Sequence, residues 1–147
     1  FGGSGILGTV TGSDFTVSSG RQRPYLGPVA SVPRVDIVAA YPGADGTAVA
    51  AFAAAGAHGL VLEAMGSGNA GTPMVAAVEH ACADGLPVAV TTRVPGGHAV
   101  ASYGPGRDLE AAGAVMVPRL RTSQARGLVM AAVGAGLGVA DVVTRWG

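Results

Sequence analysis

The stretch GLVLEAMGSGNAGTP, Gly59 to Pro73, passes from an apolar run into a loop that spells G-x-G-x-x-G through Gly66, Gly68 and Gly71. Two chemistries fit such a loop. Glycines between a strand and a helix let a dinucleotide pyrophosphate approach the backbone. The same glycines can hold out Asn69, the only asparagine of the chain, whose carboxamide both donates and accepts hydrogen bonds. A dinucleotide fingerprint also requires the loop to follow the first strand of a βαβ unit, with an acidic residue ending the next strand. Here the loop follows the second expected strand of the sheet, and the next one ends in Val90, Thr91 and Thr92, without a carboxylate. Spacing by itself favours a third reading, a strand-to-helix turn in which Asn69 adopts a left-handed backbone or caps a turn.

The remaining polar residues exclude more than they offer. All nine basic residues are arginine, so Schiff-base chemistry and a Walker-type phosphate loop have no lysine to use. Nine acidic residues balance them, and no basic stripe forms, which argues against nucleic acid as a partner. The lone Cys82 sits in a helical pattern and reads as an inert, buried or half-buried thiol. His58, His80 and His98 lack the pairing and the neighbouring ligands of a zinc site, so no metal and no cofactor is expected. No G-x-S-x-G elbow and no Ser-His-Asp order is present for an independent hydrolase.

These residues need a scaffold, and 147 residues suffice for one domain with its own core. No run approaches the roughly 18 apolar residues of a membrane span, and the chain reads as soluble. Residues 1–33 differ from the rest. ILGTV and FTVSS flank the turn-rich Thr11-Gly12-Ser13-Asp14, the pattern of a short β-hairpin, and a connector punctuated by Pro24, Pro28 and Pro33 follows. From Arg34 onward apolar runs alternate with alanine-rich helical patterns. The expected strands are 35–41, 59–64, 87–92 and 114–117. The expected helices are 44–55, 72–83 with Thr72 as N-cap, 107–112, and one capped by Ser123 that runs to Gly134, with a last amphipathic segment, VADVVTRW. The fold class is therefore α/β, a half-Rossmann-like four-stranded parallel sheet with helices on both faces. Ligands of such sheets bind beyond the carboxyl ends of the strands, at 42–45, 65–71, 93–106 and 118–122.

VDIVAAYPGAD, GLVLEAMGSGN, PVAVTTRVPGG and QARGLVMAAV stand in the order and spacing seen in bacterial L-asparaginases, and the chain resembles their C-terminal domain. The Gly-Asn loop followed by Arg93-Val94-Pro95 is the specific pair of marks. The resemblance implies that residues 1–33 are the hairpin and linker leading out of a missing N-terminal catalytic domain, and that 34–147 are the C-terminal α/β domain. In that family the nucleophilic threonines and their supporting lysine lie in the N-terminal domain. This chain has no T-G-G-T-like motif and no lysine, so alone it is expected to be inactive.

The resemblance further implies that Asn69, with Gly68 and Ser67, contacts L-asparagine across a dimer interface, in a homodimer or homotetramer; Thr92 and Arg93, at a strand end, read as structural residues near that site. Arg93 would pin its loop to a carbonyl or carboxylate. Two departures stand out. Many members carry a glutamate in the loop after R-V-P, whereas residues 96–106 here hold no acid and offer Tyr103. Members commonly have small residues where this chain has Glu63 and Met65. The chain begins at Phe1 without a signal-like segment and reads as part of a longer protein, with a cytoplasmic location favoured over secretion. The alternatives are a stand-alone small-molecule or nucleotide-binding module and a non-catalytic association domain.

Overall fold

Alternating burial and turn chemistry account for each element in the computed structural model, which describes residues 8–17, 25–102 and 104–147. Strands β1 (Gly8–Thr11) and β2 (Asp14–Val17) pair antiparallel, with Thr11 opposite Asp14. Gly12, at φ +63°, takes the first turn position, where a side chain would be strained. The expected hairpin is present. Pro28 and Pro33 of the connector lie in residues 25–34, which form no helix or strand; Pro24 lies outside the described residues.

The core alternates β3 (Val35–Ala39), α1 (Thr47–Ala54), β4 (Gly59–Ala64), α2 (Thr72–Ala83), β5 (Val88–Thr92), α3 (Gly104–Ala111), β6 (Val115–Met116), α4 (Thr122–Gly134) and α5 (Val139–Trp146). The four core strands form one parallel sheet in the order β3-β4-β5-β6, with Val35 opposite Gly59, Leu60 opposite Val88 and Ala89 opposite Val115. Central β4 and β5 are buried on both faces, which is why their sequences read as nearly unbroken apolar runs.

A strictly sequential strand order with crossovers of one hand places every crossover helix on the same face. That is the arrangement found. Val38, Leu60, Leu62, Val88 and Val90 pack against Val49, Met74, Val78 and Leu109 of α1, α2 and α3. The opposite face, with Val35, Val61, Ala89 and Val117, is covered by Ala125, Val129 and Ala132 of α4 and by Val142 and Val143 of α5. Helix α4 approaches closely: a Cβ built on Gly59 would stand 3.0 Å from Val129 Cγ1. Each fully buried Leu or Val contributes roughly 1.5–3 kcal/mol over its exposed state.

Charged side chains secure the periphery. The Arg34 guanidinium donates to Asp36 (Nε to Oδ2, 2.7 Å) and to the Ala55 carbonyl (3.1 Å), and lies 5.8 Å from the Phe52 ring centroid, joining the start of β3 to the end of α1. Arg126 Nε donates to the Val35 carbonyl at 2.7 Å, covering part of the edge strand.

Four helix starts differ from expectation. Helix α1 begins at Thr47, not residue 44. The Ala44 N–H bonds back to Tyr41 O, and Asp45 Oδ1 accepts the Thr47 N–H at 3.0 Å. Thr72 is the first helical residue of α2, with extended Gly71 at the N-cap and no capping side chain. Helix α3 starts at Gly104, three residues earlier than 107, because Pro105 presets helical φ in its first turn. Helix α4 is preceded by Arg121, whose N–H donates to Gln124 Oε1 at 3.0 Å, and Ser123 lies within the first turn. No helix among the described residues is long and apolar enough to cross a membrane.

Candidate functional site

The loop after β4 folds back on itself. Met65 and Asn69 exchange both backbone hydrogen bonds (Met65 N to Asn69 O, 2.9 Å; Asn69 N to Met65 O, 2.8 Å), and the Gly68 N–H also donates to Met65 O at 3.0 Å. Only Gly66 to Gly68 span the reversal. Gly66 (φ +50°) and Gly68 (φ +114°) supply the left-handed conformations, and no described residue other than glycine has positive φ. Asn69 is therefore not the left-handed residue of the turn, contrary to that expectation.

The same bonds bear on the dinucleotide reading. A phosphate cradle requires backbone N–H groups directed outward, whereas those of Gly68 and Asn69 are engaged with Met65. The sequential strand order also contains no reversal, so the sheet has no internal switch-point crevice for a nucleotide.

The β5–α3 connection crosses this loop at close range. Ser67 O accepts the Val100 N–H at 2.8 Å. A Cβ on Gly68 would meet Met116 Sδ at 3.6 Å and Val100 N at 3.7 Å, and one on Gly106 would stand 3.3 Å from Val100 O. Glycine at these positions permits two backbone segments to stack. From the other side Thr92 Oγ1 donates to the Gly66 carbonyl and accepts the Val94 N–H at 3.0 Å. Ser67 and Asn69 are half-buried and Gly68 is buried. The candidate carboxamide thus stands on a loop fastened on several sides.

Arg93 is exposed, and its guanidinium makes no hydrogen bond or ion pair among the described residues. The fastening expected of it is made by the Thr92 hydroxyl. Tyr103 lies outside the described residues.

A second polar system lies on the α4 side of the strand ends. Thr122 Oγ1 donates to Glu63 Oε1 at 2.7 Å and lies 3.0 Å from Thr91 Oγ1, which is also 3.4 Å from Leu62 O. Since the Glu63 carboxylate can only accept, Thr122 accepts in turn from Thr91. Glu63 is accordingly a hydrogen-bonded strand-end acid, neither fully solvated nor pointed freely into space. It borders a cleft of about 500 Å³ with Arg93, His98, Arg119, Arg121 and Thr122. His98 Nδ1, 3.0 Å from Pro118 O, bridges two walls of this cleft. Thr122 and His98 were not singled out in the sequence as parts of this system, because their partners lie far away along the chain. The Thr91-Thr92 pair and Glu63, each at a strand end, are its visible signs in the sequence.

Cys82 is half-buried, and desolvation raises its thiol pKa, in keeping with an inert role. Among the described residues no group of three His, Cys, Asp or Glu side chains is placed to hold a metal ion.

Comparison with known proteins adds three findings. The sequence model of the "Glutaminase/Asparaginase C-terminal domain" matches residues 34–144. An L-asparaginase of Bacillus licheniformis is 32% identical over 98 residues, covering 65% of this chain and 30% of that protein. The thermostable L-asparaginase from Thermococcus kodakarensis shares the fold with a TM-score of 0.72 at 23% identity, over 94% of this chain and 44% of that one. The chain thus spans less than half the length of either protein.

Proposed function

This chain belongs to the glutaminase/asparaginase C-terminal domain family, and from that membership we propose that it works as the C-terminal domain of an L-asparaginase, hydrolysing L-asparagine to L-aspartate and ammonia. The reaction is an acyl transfer. A threonine of the preceding domain attacks the side-chain amide, ammonia leaves, and water releases aspartate from the acyl ester. This chain supplies orientation instead of the nucleophile, and without its N-terminal partner domain it does not turn over substrate. Residues 34–147 form the domain, and residues 1–33 lead into it from the catalytic one.

Asn69 carries the proposal. Its side chain stands on a loop whose left-handed positions are glycines and whose backbone is closed by the Met65–Asn69 pair. Held there with Ser67 and Gly68, it orients the amino-acid substrate in the active site of a neighbouring subunit. Tyr103, on the connection after Arg93-Val94-Pro95, is the candidate for the substrate contact made by a glutamate in other members. A homodimer or homotetramer is supported by apolar side chains around the strand ends, Tyr41, Val94 and Val100, which are 56%, 43% and 42% exposed.

The test is asparagine-dependent ammonia release by the longer protein that carries this chain, native against Asn69→Ala at equal oligomeric state. The expected loss is at least about tenfold in kcat/KM, near 1.4 kcal/mol of transition-state stabilisation. Undiminished activity would make the chain an association domain. No activity in the native protein would remove the asparaginase reading.

A further inference from the structure

Three of the contacts that fasten the Gly66–Asn69 loop bear on its position, and one of the three is made by a side chain from outside the loop. The Met65–Asn69 pair and the Ser67–Val100 bond are backbone to backbone, whereas the third comes from the Thr92 hydroxyl. Its hydrogen-bond direction is determined. The Val94 N–H can only donate, so Oγ1 accepts from it, and the hydroxyl proton goes to Gly66 O.

The candidate carboxamide lies beside Gly66, where an added Cβ would stand 3.4 Å from Asn69 Nδ2. Gly66 is also a glycine at φ +50°, with the greatest conformational freedom to lose, so its position depends on outside anchors. The adjacent Thr91 cannot replace Thr92. Consecutive strand residues face opposite sides of the sheet, and the Thr91 hydroxyl is buried against Thr122 and Leu62 O.

We infer that Thr92 is a positioning residue for Asn69: through one hydroxyl it ties the Gly-Asn loop to the Arg93-Val94-Pro95 turn and fixes the glycine beside which the carboxamide lies. Thr92 does not touch the substrate. The inference rests on the proposed role of Asn69, and its test separates the two.

The test is a double-mutant cycle in the longer protein, with Thr92→Val, Asn69→Ala and the pair, together with Thr92→Ser and amide hydrogen exchange of the Gly66–Asn69 loop and Val94. Thr92→Val is expected to lower kcat/KM for L-asparagine about tenfold in the native background and less than about twofold in Asn69→Ala. Exchange at Asn69 and Val94 should quicken about tenfold in Thr92→Val. Thr92→Ser, which keeps the hydroxyl, should restore both readouts. Equal losses in the two backgrounds, or unchanged exchange in Thr92→Val, would overturn the inference. If the native protein lacks asparaginase activity, the proposed function fails and exchange alone decides. Quickening at Asn69 reversed by serine then sustains the positioning role, and its absence ends it.

Discussion

The Glu63 carboxylate accepts a hydrogen bond from the Thr122 hydroxyl at 2.7 Å, fastening the end of β4 to the first turn of α4. Thr122 is buried and also receives the buried Thr91 hydroxyl. Replacing Thr122 by valine removes the hydroxyl partner of Glu63 and leaves the buried Thr91 hydroxyl only its longer contact to Leu62 O, which costs about 1–3 kcal/mol. We predict a lowered urea midpoint for Thr122→Val with an unchanged slope, and near-native behaviour for Thr122→Ser. A native midpoint in the valine variant would show that the contact contributes nothing.

Gly134 predicts a different kind of failure. It ends α4 directly beneath the connector, and an added Cβ would stand 2.5 Å from Ser31 O and 2.6 Å from Val29 Cγ1. The connector also donates its Ala30 N–H to Gly134 O at 3.3 Å. Gly134→Ala should cost about 1–3 kcal/mol through overpacking, despite the better helix propensity of alanine. Calorimetry should show a Tm lower by about 2–4 °C per kcal/mol. A raised Tm would mean that the connector gives way without penalty.

Asp45 carries a pH signature. The Thr47 backbone N–H, then its side chain, stabilise the carboxylate and hold its pKa below the usual aspartate value. A lowered folded-state pKa gives stability that is present above the unfolded value, about 4, and is lost as pH falls through the folded one. Asp45→Ala should therefore be slightly less stable than native at neutral pH, with the gap closing under acid. The residue is fully exposed, so the effect is small and salt-sensitive. A gap that stays constant from neutral to acid pH would exclude this origin.

Nucleotide binding should be absent despite G-x-G-x-x-G. With the Gly68 and Asn69 N–H groups engaged by Met65, isothermal titration with NAD or ATP is expected to give no saturable heat. Micromolar binding weakened by Gly68→Ala would revive the nucleotide reading.

Much of this was readable in the residues, for definite reasons. Gly59–Ala64 and Val88–Thr92 sit mid-sheet with both faces covered, so their apolar runs marked strands and placed the loops that follow them. Caps were harder. Ser123 has the chemistry of an N-cap, but Gln124 reaches back to Arg121 and moves the start forward. Asn69 was a plausible left-handed residue until Gly66 and Gly68 took those positions. The Thr91–Thr122–Glu63 chain joins three separate elements and leaves no local pattern.

The sequential strand order also imposes an order on synthesis. By Met116 all four core strands and the three crossover helices exist, yet the face formed by Val35, Val61 and Ala89 gains most of its cover from residues 122–146. A nascent chain paused before α4 holds a nearly complete sheet with one bare apolar side, the kind of surface that chaperones bind and neighbouring chains stick to. Helices α4 and α5, translated after the sheet, are what make its bare face safe.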